Sequence, residues 1–355
     1  MSDGPAWGSR GVIKNIQGLR ALAALLIVAV HLEKLLANIG MVTFGGAGVD
    51  LFFVISGFVM VHTTRSAPPS PTEFMRNRIS RIVPIYWLVT CAVFTLAWIA
   101  PQLMRSTVAD PVQLAKSLLF IPFTKPSGLI QPVLFLGWTL NYEMFFYALF
   151  ALGLTLRNYL AGVSAVAAVM IALVLFGVVF QPTSAIGQFY TGDIVLDFVL
   201  GMGVGLWGTR VPQATGSAAK LATLGCTTAA FIFTVAAPVV WSNVPSVLTS
   251  GLAATMVVTG AIWLEHWGWR IASPLVLALG DASYVTYLIH PLVTEAAQKV
   301  GVKLQADAPL SALLILAAFV TVAAAGLVLH RVLERPLFAA TLKLLAVQRL
   351  NPRPA

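Results

Sequence analysis

The sequence predicts an all-α fold: a polytopic membrane helix bundle of about ten transmembrane helices with both termini cytoplasmic. Three observations carry that expectation. Of the 355 residues, 58% are apolar and only 10% are charged, whereas a soluble domain carries about 25% charged residues. So few charges cannot cover a globule with polar surface, and the mean hydropathy of +0.87 agrees. Apolar segments recur along the whole chain with short polar stretches between them. Lys and Arg fall unevenly between the two sets of connecting segments, as orientation in a membrane requires.

The first apolar segment, near 16–36, is long and is followed by no Ala-x-Ala cleavage site, so it is read as a retained span. The second, 47–64, opens on glycines and Asp50, and the third, 80–100, follows a basic run. A proline-rich connection near 101–137 comes next, expected either as a lid or re-entrant segment or as a packed surface loop. Segments 138–156 and 160–180 follow. The sixth, 194–208, is short, and its Gly201, Gly203 and Gly205 suit close helix packing. Segments 219–240, 247–264, 273–296 and 310–334 complete the set. The chain is expected to form a single integral-membrane domain, 1–355, with spans over about 16–336 and a cytoplasmic tail at 337–355. Sixteen of the 22 Lys and Arg residues, Arg76 and Arg335 among them, fall on the side of the N-terminus, and six, such as Lys125 and Lys299, on the other. The net charge of +9 is therefore topological and no sign of nucleic-acid binding. Cys91 and Cys226 lie in apolar runs and are read as core fillers.

Four constellations could carry chemistry. Arg20 and His31 share the first apolar segment, and ionisable groups inside a membrane are costly and mark functional sites by default. Eleven residues at 100° each end about 20° from three full turns, so both side chains leave one face, roughly 16.5 Å apart along the axis. His31 is a candidate general base for a hydroxyl, with Asp50 in the next helix as the group that orients it; a satisfied core histidine is the plainer alternative. Arg78 and Arg81 are three apart, hence neighbours on a helix face, with Arg76 close by. Paired guanidiniums at a membrane edge hold phosphates bidentately or anchor to anionic lipid. Glu143 lies one turn before Tyr147, and a buried carboxylate there needs an arginine or a substrate as partner. Ser283, Thr286, Tyr287, His290 and Thr294 form a polar stripe at helical spacing, facing a cavity or a neighbouring helix. No His-x-x-x-His, Cys-x-x-Cys, Gly-x-Ser-x-Gly or phosphate-loop pattern is present, which disfavours metal hydrolysis, nucleotide hydrolysis and soluble serine-esterase chemistry.

Taken in order, five blocks resemble the membrane acyltransferase-3 family of bacterial acyl-CoA-dependent carbohydrate O-acyltransferases. They are Gln17-Gly-Leu-Arg20-Ala with His31, Gly48-Val-Asp50-Leu-Phe-Phe-Val-Ile-Ser56-Gly-Phe, Arg78-Ile-Ser-Arg81-Ile-Val-Pro84, Trp138-Thr-Leu-Asn-Tyr-Glu143 through Tyr147, and Ser283-Tyr284-x-x-Tyr287-Leu-x-His290-Pro291. The pattern is similar to the branch that acetylates exopolysaccharides or lipo-oligosaccharides. One departure from many relatives is that only about twenty residues follow Pro336, with no hydrolase-like domain among them. The resemblance implies an integral-membrane O-acyltransferase that takes an acyl group, acetyl above all, from cytoplasmic acyl-CoA to a hydroxyl of a cell-surface glycan or lipid-linked saccharide. With the residues read by their own placement beside it, His31, Asp50 and Arg20 are expected in catalysis, Arg78, Arg81, Arg76 and Trp138 at acetyl-CoA, and Glu143, Tyr147, Tyr287, His290 and Ser56 at the acceptor, with Ser56 the nearest nucleophile should an acyl-enzyme form. The resemblance itself matches Arg20 and His31 to an essential Arg/His pair, Arg78 and Arg81 to a donor-binding motif, and Trp138 and Glu143 to a further motif. It implies no metal, a bacterial inner-membrane location, and membrane lipids and polysaccharide-assembly proteins as partners. A glycan or lipid transporter of the export pathway stays open as the alternative, since ionisable lines also mark translocation paths, as does a scaffold of a polysaccharide assembly complex.

Overall fold

The computed structural model describes residues 12–41, 46–103, 107–212, 216–241 and 243–347. In chain order the helices are α1 (Lys14–Val30), α2 (Glu33–Asn38), α3 (Ala47–Thr64), α4 (Pro71–Ile99), α5 (Pro111–Leu118), α6 (Gly137–Gly153), α7 (Tyr159–Phe180), α8 (Ala185–Tyr190), α9 (Leu196–Gly203), α10 (Ser217–Val240), α11 (Leu252–His266), α12 (Pro274–Asp281), α13 (Ser283–Lys303), α14 (Ala308–Leu329) and α15 (Arg335–Val347). Each of the ten apolar segments becomes helix, and no strand forms among the described residues. Six helical segments are long and apolar enough to cross a membrane, or seven if the bent pair α12–α13 counts as one span. That is fewer than the ten expected. α1 and α6 have 17 residues each, about 25 Å of rise against a hydrocarbon core of about 30 Å. α9 is shorter still, with 8 residues before the π-helical turn Val204–Gly208.

The chain divides into two compact units. The first comprises residues 1–68 and 193–327. Its core joins Ile16 and Ala23 of α1, Val54 and Phe58 of α3, and Val257 and Val258 of α11. α3 and α9 pack backbone to backbone: a Cβ on Gly57 would lie 2.2 Å from the Phe198 carbonyl oxygen, and one on Gly201 2.1 Å from that of Val54. The glycine-rich sixth segment thus serves close packing, the use small residues have between membrane helices. α1 also packs against α12, where a Cβ on Gly280 would meet the Gln17 carbonyl at 2.2 Å. α12 and α13 meet at a 79° bend at Ala282. Arg20 contacts Ser283, the His31 ring contacts His290 and the His31 carbonyl contacts Gln298. Contacts ascend together in both helices, so α1 and α13 run in the same direction.

The second unit comprises residues 69–192 and 328–355. α4 starts cleanly: the Glu73 amide donates to Ser70 Oγ at the cap, and Pro71 takes the first helical position, where a missing N–H costs nothing. Arg78 of α4 lies by Tyr147 of α6, and Tyr86 by Gly137, so the two helices are antiparallel. The described part of the connection between α4 and α6 packs on α4: Tyr86 donates to the Ser117 carbonyl, Ser117 Oγ accepts from the Val133 amide, and Trp87 donates to the Leu118 carbonyl. Cys91 on α4 is exposed, as is Cys226 on α10 of the first unit. Neither fills a core, because each apolar run presents its sulfur on the outer face of a helix.

Candidate active site

α1 ends at His31, and the ending makes the site. The last carbonyls of a helix lack amide partners. The His31 amide bonds Val28 O at 3.2 Å, and the imidazole Nδ1 turns back to Ile27 O at 2.8 Å. Gln298 Nε2 donates to the His31 carbonyl at 2.7 Å. On α13, His290 is fully buried; its Nδ1 lies 2.7 Å from the Tyr287 carbonyl and its Nε2 3.2 Å from His31 Nδ1. The ring centroids are 4.8 Å apart. Beside them Tyr287, also buried, stands edge-on to Phe52 of α3. Toward the start of both helices, Arg20 donates to Gln17 Oε1 and to Ser283 Oγ, each at 2.9 Å, and Gln17 donates to Asp281. Arg20 and His31 thus share a face, as their spacing requires, and that face meets α13.

The polar stripe of α13 faces neighbouring helices. Ser283 takes Arg20, His290 takes His31, and Thr286 sits where a Cβ on Gly326 of α14 would fall at 2.1 Å from its oxygen. His290 was expected either at the substrate or in a hydrogen bond to a neighbouring helix; both ring nitrogens are engaged within the protein, one of them with His31 of α1. Asp50 was expected to orient His31. It lies in the first turn of α3, 4% exposed, and its carboxyl faces Asp197 of α9, with Asp193, to which Ser246 donates, close by. The reason is register: that face of α3 packs on α9, whereas His31 faces α13. Ser56, one turn and a half further along α3, is half-buried.

In the second unit Arg78 is 5% exposed. Its guanidinium sits over two rings, 5.4 Å from the centre of Phe74 and 5.5 Å from that of Tyr147. Tyr147 donates to Glu143, and both lie in the electrostatic surroundings of Arg78. The arginine expected as partner of Glu143 is therefore present, with a tyrosine between. Arg76 and Arg81 remain half-exposed. Trp138 stands edge-on to Tyr142, about 13.5 Å of helix rise from Tyr147, and does not join this cluster.

The sequence profile of the acyltransferase domain matches residues 13–330. The chain belongs to the acyltransferase-3 family. Among relatives in this family, exopolysaccharide production protein ExoZ of Rhizobium meliloti (strain 1021) is 38% identical over 302 residues, covering 83% of this chain and 90% of its own length. Acyltransferase MdmB of Streptomyces mycarofaciens is 28% identical over 374 residues, 91% of either chain. Peptidoglycan O-acetyltransferase OatA of Listeria monocytogenes is 27% identical over 110 residues, which is 29% of this chain and 17% of the relative. No solved structure matches. The chain is accordingly an acyltransferase of a membrane family, and its profile spans both units. Two residues of the site escaped the sequence reading: Gln298, and His290 as the partner of His31. The signal for the first was the i, i+4 run His290, Thr294, Gln298, which continues the polar stripe one turn further.

Proposed function

We propose that this acyltransferase moves an acetyl group from cytoplasmic acyl-CoA to a hydroxyl of a cell-surface glycan or lipid-linked saccharide, with His31 as general base. The observation that carries the reading is the imidazole of His31, held at the end of an apolar helix by His290 and by the Ile27 carbonyl. An imidazole so fixed takes a proton from a hydroxyl as the oxygen attacks the thioester carbon. The C–O bond forms, the C–S bond breaks, and the thiolate of CoA leaves with the proton that His31 has taken. Arg20, three turns and about 16.5 Å of helix rise back on the same face, lies too far from His31 to meet the thioester oxygen there and holds the donor on its way to the imidazole.

CoA carries phosphates and needs cations. The half-exposed Arg81 and Arg76 supply the direct contacts, while Arg78, buried between Phe74 and Tyr147, fixes the segment they stand on. Glu143 and Tyr147 then belong to the support of Arg78 more than to the acceptor. The distribution of Lys and Arg supports cytoplasmic termini in a bacterial inner membrane, with the three short helical segments completing ten crossings. The name of the ExoZ relative supports an exopolysaccharide as acceptor. The test is acyl transfer from labelled acetyl-CoA in membranes holding wild type or His31→Ala. The variant loses transfer by at least two orders of magnitude at equal expression. Near wild-type turnover would sink the assignment.

A further inference from the structure

We infer that Pro291 and His290 together set the tautomer of His31, so that its Nε2, and not its Nδ1, is the nitrogen that takes the acceptor proton. The inference rests on the proposed role of His31 and adds a positioning pair to it. It begins with a missing hydrogen. In a helix the amide of residue 291 would bond the carbonyl of residue 287. Proline has no amide hydrogen, so Pro291 leaves Tyr287 O without its helical donor. The neighbouring imidazole fills the vacancy: His290 Nδ1 lies 2.7 Å from that oxygen. A carbonyl only accepts, so His290 Nδ1 carries a hydrogen and donates it.

The other nitrogen follows. His290 is fully buried, and a second proton would place a charge there with no carboxylate among its bonded partners. Its Nε2 therefore presents a lone pair, and the atom facing that lone pair at 3.2 Å is His31 Nδ1. Two lone pairs do not face each other at that distance, so His31 Nδ1 carries the hydrogen. The Ile27 carbonyl at 2.8 Å demands the same of the same atom. Neutral His31 then keeps its lone pair on Nε2. Gln298, bonded to the His31 carbonyl from the same helix, holds the backbone in register for this contact. The Ile27 carbonyl and the His290 ring thus fix together which edge of the His31 ring is basic, and the proline in α13 sets the His290 half of that arrangement. The acceptor hydroxyl must approach the Nε2 edge, and His290 acts through His31 without touching substrate.

Two measurements on the full chain in micelles or membranes test this. The first is the ¹⁵N spectrum of histidine-labelled wild type, assigned by His31→Gln. We expect a protonated Nδ1 and a bare Nε2 for neutral His31; the opposite pattern overturns the inference with no kinetic assay. The second is kinetic. His290→Phe removes the acceptor and lowers kcat roughly ten- to a hundredfold with KM for acetyl-CoA unchanged. His290→Gln, which can donate to Tyr287 O and accept from His31 at once, recovers most of that loss. Wild-type kcat in His290→Phe, or equal losses in Phe and Gln variants of normal expression, would refute the positioning role. Activity retained in His31→Ala would instead fail the proposed function, so the two failures are distinguishable.

Discussion

Lys125 is a small case of what burial does to a single charge. It sits in the connection between α4 and α6, 2% exposed, with its Nζ 3.5 Å from the Val133 carbonyl and no carboxylate in ion-pair range among the described residues. Burial pushes its ammonium down to about 8. The folded chain therefore binds fewer protons than the unfolded chain between that value and the ordinary 10.5. The stability penalty is complete below pH 8 and fades as pH rises toward 10.5. Lys125→Met should raise the melting temperature at pH 7, on the order of 2–4 °C, with a smaller gain at pH 10. A gain of equal size at both pH values would show that charge burial is not the cause. The same physics sorts the three arginines of α4. Arg78 is buried and compensated by rings and a carboxylate one residue removed, while Arg76 and Arg81 keep their access to solvent or ligand. Spacing alone made Arg78 and Arg81 equals, because spacing reports a helix face and is silent on which neighbour covers it.

At the scale of elements, the glycine contacts between α3 and α9 set a sharp expectation. Gly57→Val places new atoms against the Phe198 carbonyl, a backbone group that cannot turn aside. The variant should lose the monodisperse, folded species in detergent size-exclusion. Gly225→Ala in α10 meets nothing within 4 Å and removes a flexible residue from a helix interior, so it should be neutral or stabilise by about 0.5–1 kcal/mol. Equal behaviour of the two variants in thermal melts would rule out close packing as the role of Gly57. These elements were readable in sequence because apolar length and small residues are local signals. The bend at Ala282 was not. α12 and α13 read as one apolar run, and the groups that meet Ser283 and Asp281 on either side of the break, Arg20 and Gln17 of α1, lie 263 and 264 positions away in the chain. Nor was the partner of Asp50, since Asp197 lies 147 positions away and α3 had several helices it could have faced.

For the whole molecule, the predicted consequence is chemical. Mass spectrometry of cell-surface glycans from cells with and without this chain should show one acyl substituent lost in its absence, and the mass lost identifies the acyl group. Unchanged glycans alongside an altered amount of exported polysaccharide would favour transport over transfer. The family assignment fits the helical architecture, but the pairing at the centre of the site shows only in three dimensions. His31 and His290 are 259 positions apart, and no periodicity within either segment names the other.

That separation also has a consequence in time. A ribosome adds about 5–20 residues per second, so the second imidazole emerges roughly 13–50 s after the first. Through that interval α1 waits with its histidine and arginine lacking the partners that α13 will bring. A nascent chain that stalls anywhere before α13 has the first imidazole without the second. Synthesis itself thereby leaves the imidazole pair incomplete until nearly the last helix is made.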